Sequence, residues 1–163
     1  MKPITQTDDA LVINTPQFGL TVPGVWLEES PSSDHVIYSG LSSDDEIQKQ
    51  IIVAGYLLAP GGVEKQRRLA FERLLAIRLA MEREVTQGDI RIVEDPIQEI
   101  GNLLLGSYSG VHSAARRIVF SCLLCDHEKA FNVYHAQWHA SDFPDLQKVS
   151  DDFDEILSTA ELK

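Results

Sequence analysis

The chain has 163 residues, 44% of them hydrophobic and 24% charged, a composition that belongs to one folded domain rather than to a disordered segment. Its 25 acidic side chains outnumber 14 basic ones, giving a net charge of −11. That balance argues against nucleic-acid binding and against adhesion to an anionic membrane, because both depend on Lys and Arg neutralising phosphates.

Two cysteines cannot build a disulfide framework, and free thiols fit a reducing compartment. The opening "MKPITQTDDALVINTPQFG" lacks the apolar segment of a signal peptide, and no run approaches the length of a membrane span. The expectation is a cytoplasmic protein of a single domain, 1–163, with a loosely ordered start over residues 1–10.

Short strands come first. "ALVINT" and "FGLTV" are apolar and β-branched, and Pro16, Gly19 and Pro23 punctuate them. "GVWLEES" is a further extended segment, "PSSD" a turn, "HVIYSGL" a strand and "SSDDE" another turn. "IQKQIIVAGYLLA" reads as a longer strand with imperfect alternation, which predicts a bulge or burial on both faces.

"PGG" ends the β run and a helix follows, from Val63 to about Thr86, with Gly88 as its C-cap. Ala70, Leu74, Ile77, Met81 and Val85 recur at spacings of four and three, and Phe71 and Leu75 widen the stripe, so the pattern predicts that it faces the core. Lys65, Arg67, Arg68, Arg73, Arg78 and Arg83 alternate with glutamates, as on a salt-bridged solvent face. Arg67 and Arg78 flank the apolar stripe and become candidate binding residues if they converge on a common point.

"DIRIVED", "IQEIGNLLLGSYSG", "AARRIVFSCLLC" and "FNVYHAQWHA" read as four more strands, the last two joined by "DHEKA". A second helix spans about Pro144 to Thr159, with Asp142 as N-cap and Leu146, Val149, Phe153 and Ile156 on one face. Consecutive strands with two helices point to an α+β protein, an antiparallel sheet packed with a long central helix and a C-terminal helix.

The segment "CLLCDHEKAFNVYHAQWH", residues 122–139, spaces two cysteines and two histidines like a zinc site. Strand geometry opposes that reading. Side chains alternate faces along a strand, so Cys122 and Cys125 project to opposite sides, roughly 10 Å apart. "FNVYHAQWH" is aromatic and β-branched, a good strand and a poor helix. The expectation is a hairpin with a five-residue loop, which sets Phe120 near Ala136 and Cys122 near Tyr134. No metal and no cofactor is predicted.

The familiar catalytic motifs, among them the nucleophile elbow, the P-loop and the HExxH zinc helix, are missing from the sequence. The polar residues able to line a pocket between sheet and helix are Tyr108, His112, Arg116, Arg117, His135 and His139. Trp26 is an interface anchor if it is exposed.

"FGLTVPGVW" resembles the opening F-x-(apolar)-x-x-P-x-x-W of PsbP-like proteins, and "DFDEILSTAEL" resembles the final helix of that superfamily. The group includes the extrinsic photosystem II subunit, a Ran-binding nuclear transport factor, and bacterial DcrB-like and Eag-type proteins. The resemblance implies an α/β/α sandwich around one antiparallel sheet, and a binding or adaptor role rather than an enzyme. The expected function is therefore a non-enzymatic protein-interaction module, such as a secretion-associated chaperone or an immunity-type protein. Its partner is a protein, a second copy in a homodimer being one such partner. The alternative is a small-molecule-binding or enzymatic domain with a pocket between sheet and helix.

Overall fold

The computed structural model describes residues 3–29, 36–42, 47–57, 64–139 and 146–163. In chain order the elements are β1 (Ile4–Gln6), β2 (Ala10–Asn14), β3 (Phe18–Pro23), β4 (Trp26–Glu28), β5 (Val36–Ser42), β6 (Ile47–Leu57) and α1 (Glu64–Val85). Then follow β7 (Arg91–Glu94), β8 (Gln98–Ile100), β9 (Leu103–His112), β10 (Arg117–Cys125), β11 (Lys129–His139), α2 (Leu146–Ser158) and β12 (Glu161–Leu162). The turns expected at "PSSD" and "PGG", that at "SSDDE" apart from Ser42, which ends β5, and the Asp142 cap with Pro144 lie outside the described residues.

The strands form two sheets rather than one, and this overturns the α/β/α sandwich. The large sheet runs β4-β5-β6-β11-β10-β9-β7, with β8 also paired to β9. The small sheet runs β1-β2-β3-β12. Helix α1 covers one face of the large sheet, where Phe71, Leu75 and Leu79 pack with Leu104, Val119, Leu123 and Ala136. The opposite face packs against the small sheet and α2, through Leu11, Ile13, Phe18, Val22, Ile51, Val53, Phe131, Phe153 and Ile156. The long helix is an outer layer and not a central one. Ile4–Gln6, expected to be loose, pairs with β2.

Each layer has a local cause. Val149, Phe153 and Ile156 of α2 are buried at the predicted spacing, and Phe153 tilts against Phe120 at 5.5 Å between ring centroids. Thr159 then ties the end of α2 to β3, donating to the Thr21 carbonyl at 3.0 Å and accepting from its amide at 2.9 Å. Beneath α1, Gly106 admits the helix closely. A Cβ there would lie 3.0 Å from the Phe71 ring and 3.1 Å from Leu75. The irregularity expected of β6 falls on its neighbour, where the β5 register shifts between Val36 and Tyr38.

The β10–β11 hairpin forms, but one residue out of the expected register. Asp126 closes a tighter turn: its amide donates to the Lys129 carbonyl, and its carboxylate accepts from the amides of Glu128 and Lys129. Cys125 therefore pairs with Ala130, Cys122 with Val133 and Phe120 with His135. Because side-chain direction has period two, this slip moves a whole strand to the other face. Phe120 and Cys122 share a face with His135 rather than with Tyr134 and Ala136.

Candidate functional site

Two regions concentrate the unusual side chains, one buried beneath α1 and one on its outside.

The buried region is a polar network in an otherwise apolar layer. Tyr108 of β9, Ser121 of β10 and Tyr134 of β11 lie in one cross-strand row. Glu82 of α1 descends onto it. Its carboxylate accepts from Arg117 Nη1 at 2.6 Å and from the Tyr108 hydroxyl at 3.4 Å. Arg117 Nη2 donates to the Tyr134 hydroxyl, and the same guanidinium sits 5.4 Å from the centroid of Trp138. Arg78, one helical turn before Glu82, lies over the Tyr134 ring at 5.5 Å.

Burial, and then the Glu82 charge, push the Tyr108 hydroxyl up to about 12 and Tyr134 well above the ordinary phenol range. Both tyrosines stay neutral at physiological pH. The carboxylate and guanidinium satisfy one another, so the network can lock α1 to the sheet in one register. Breaking such a buried pair costs far more than making it gains. Tyr108, Tyr134 and Ala136 are almost wholly enclosed, so side chains fill the space between sheet and helix at these residues.

The remaining predicted residues scatter. Trp26 is buried, its indole donates to the Pro23 carbonyl, and its ring meets His135 edge-on at 6.2 Å, so it is no interface anchor. Arg67 is buried too, but it turns to the Asn102 carbonyl at 2.5 Å and to Glu99 at 3.7 Å. The expected solvent face therefore fails for Arg67 and Glu82. Arg116 occupies the exposed β9–β10 turn in a left-handed conformation, φ 51°. His112 approaches Asp89 at 3.6 Å.

His135 is enclosed between the layers with no hydrogen-bond partner for Nδ1 among the described residues. Burial, reinforced by Lys49, pulls its pKa down to about 4. His139 lies at the sheet margin, 2.5 Å from Gln137 Nε2, and its pKa is lowered by burial and then by Lys49 and Lys148. His135 and His139 share a face but not a site. Cys122 and Cys125 point into different cores, and burial raises their thiols to about 12 and about 11. Among the described residues no cluster of three or more His, Cys, Asp or Glu is placed to hold a metal ion.

Sequence reasoning misses Glu82 and places Tyr134 only by its expected hairpin register. A signal is present. Phe71, Leu75, Leu79, Glu82 and Thr86 follow one another at spacings of four and three, a second stripe parallel to the first. All five are buried.

The outside region is the consequence. Part of the stripe expected to face the core points to solvent: Ile77 is 54% exposed, Met81 49% and Val85 73%, whereas Ala70 and Leu74 are half-buried and Leu74 packs at the edge of the sheet-facing core. Leu69, further round the helix, is exposed as well. From Arg67 to Val85 the exposed charges are Arg68, Arg73 and Arg83 against Glu72 and Glu84, a nearly neutral surface on a chain of net charge −11.

A cleft of about 280 Å³ opens between the ends of the two sheets, lined in part by Phe18, Ile37, Tyr56, Leu57 and Leu162. Lys129, also in its wall, donates to the Lys163 carbonyl. No helix among the described residues is long and apolar enough to cross a membrane. No protein-family model matches the chain, and no curated protein matches it significantly.

Proposed function

We propose that this chain is a non-enzymatic protein-interaction module that binds through the outer face of α1. The observation that carries the reading is the solvent-facing row of Ile77, Met81 and Val85. Single exposed apolar residues need no explanation, but a row at helical spacing is the form taken by helix-in-groove and helix-pair interfaces. The network of Glu82, Arg117, Tyr108 and Tyr134 supports it by fixing the helix from below. A fixed helix presents its outer row without an ordering cost at the moment of binding.

The test is a paired capture experiment from the native host. The double substitution Ile77→Glu, Met81→Glu alters solvent-facing positions and should leave thermal stability within about 0.5 kcal/mol of the parent, as surface changes do. Proteins retained by the parent at micromolar bait should be lost from the variant. An identical retained set would overturn the assignment of binding to this face.

A further inference from the structure

Resting on that reading, we infer that the occupant of the α1 face is a second copy of the same chain, its α1 packed antiparallel to the first. The spacing of the stripe is the first ground. Ile77, Met81 and Val85 are exposed at successive turns, and the half-buried Ala70 and Leu74 continue the row at spacings of four and three, the pattern by which one helix packs along another. Helix α1 has a second stripe, Phe71, Leu75 and Leu79, for its sheet, with Leu74 at its margin, so the exposed row is left over for another partner.

Antiparallel self-pairing then places like positions symmetrically about one point on the helix. Ile77 faces the partner's Met81 when that point is Leu79. Leu74 faces the partner's Val85, and Arg73 faces the partner's Glu84, about the same point to within half a residue. One two-fold axis thus satisfies two apolar pairings and one opposite-charge pairing, each occurring twice by symmetry. On the helical wheel Arg73 and Glu84 fall within about 20° of each other, on one flank of the stripe. In an antiparallel pair the residues of one flank meet their own kind across the seam. Arg78 stays out of the seam, because its guanidinium lies over Tyr134.

Whole-molecule charge favours the same face. Two copies of net charge −11 repel wherever acidic surfaces meet. The exposed charges of α1, Arg68, Arg73 and Arg83 against Glu72 and Glu84, nearly cancel, so two copies approach there with less repulsion than across acidic surfaces. A helix of 22 residues is about 33 Å long, so a single helix–helix seam lies at the small end of specific interfaces and predicts a micromolar dimer.

The experiment is sedimentation equilibrium of the whole chain from a few micromolar to a few hundred micromolar, with a thermal melt of each variant. The parent should move from monomer to dimer across that range. Ile77→Glu with Met81→Glu should remain monomeric at every concentration with an unchanged melt. Arg73→Glu alone and Glu84→Arg alone should each weaken the dimer about tenfold, since two symmetric pairs become repulsive. Combining Arg73→Glu with Glu84→Arg should restore it, because the reciprocal pairs re-form. A parent that stays monomeric overturns the self-pairing, as does a dimer indifferent to Ile77→Glu, Met81→Glu. Charge reversals that fail to rescue each other overturn the antiparallel register. The capture experiment reports separately on the interaction reading: loss of a foreign protein from a monomeric parent's variant leaves that reading standing while self-pairing falls.

Discussion

Protonating His135 should destabilise the protein more than protonating any exposed histidine would. The ring is 2% exposed, sits against Trp26 and Phe153, and has no hydrogen-bond partner for Nδ1 among the described residues. Its pKa falls from an ordinary 6.5 to about 4 in the folded chain. The unfolded chain therefore binds a proton between those values that the folded chain refuses. Stability is unaffected well above pH 6.5, declines as pH drops through 6.5, and reaches its full loss below pH 4. A tenfold difference in proton affinity between the two states is worth about 1.4 kcal/mol, so the full loss is about 3 kcal/mol, of which roughly 2.5 is lost by pH 4.5. Carboxylates titrate in the same range, so the comparison must be differential. The substitution His135→Leu keeps a buried side chain of similar bulk without a titrating group. Urea unfolding of both proteins at pH 7.5 and 4.5 should find that the parent loses roughly 2.5 kcal/mol more than His135→Leu. Equal losses would mean that His135 is hydrated or paired in solution, and would refute the enclosure argued from Trp26 and Phe153.

The cores on either side of the large sheet can be tested separately. Glu82→Gln and Arg117→Met should each cost about 3–5 kcal/mol because each strands a buried charge, whereas the double substitution should recover most of that loss in chemical unfolding; additive losses would show the pair to be solvated. Cys122 and Cys125 should react with a thiol reagent at neutral pH only as fast as the protein unfolds, since burial holds both thiols protonated. A fast-reacting thiol in the native protein would contradict their placement in the two cores.

Local chemistry is legible where one face of an element is uniformly apolar. Helix α2 declares itself through Val149, Phe153 and Ile156, and strand chemistry alone separates Cys122 from Cys125. Helix α1 is legible in extent but not in orientation. It is apolar on two sides, and its buried side carries Arg67 and Glu82, which pattern rules assign to solvent. Those charges are tolerated because each finds a partner far away in sequence: Arg117 for Glu82, and the Asn102 carbonyl for Arg67. The β10–β11 register fails for a smaller reason. Asp126 folds its carboxylate back on two amides and shortens the loop by one residue, which composition alone does not reveal. The division into two sheets is hidden because it depends on which strands meet, and β3 with β12 meet across nearly the whole chain.

That last pairing bears on how the protein is made. The small sheet takes three strands from before the large sheet and one from after it, so the large sheet is in effect an insertion between β3 and its neighbour. During synthesis β3 emerges early and waits, one edge unpaired, while β4 to β11 are translated. Its apolar residues Phe18, Leu20 and Val22 must be sheltered by something other than their final neighbours throughout that interval. Such long-range closure is slow, because the loop entropy is lost before the contacts repay it. The vulnerable species in a cell is therefore the nascent chain lacking α2 and β12, with the part of the interlayer core that Phe153 and Ile156 cover, and the free edge of β3, open to whatever binds exposed strands.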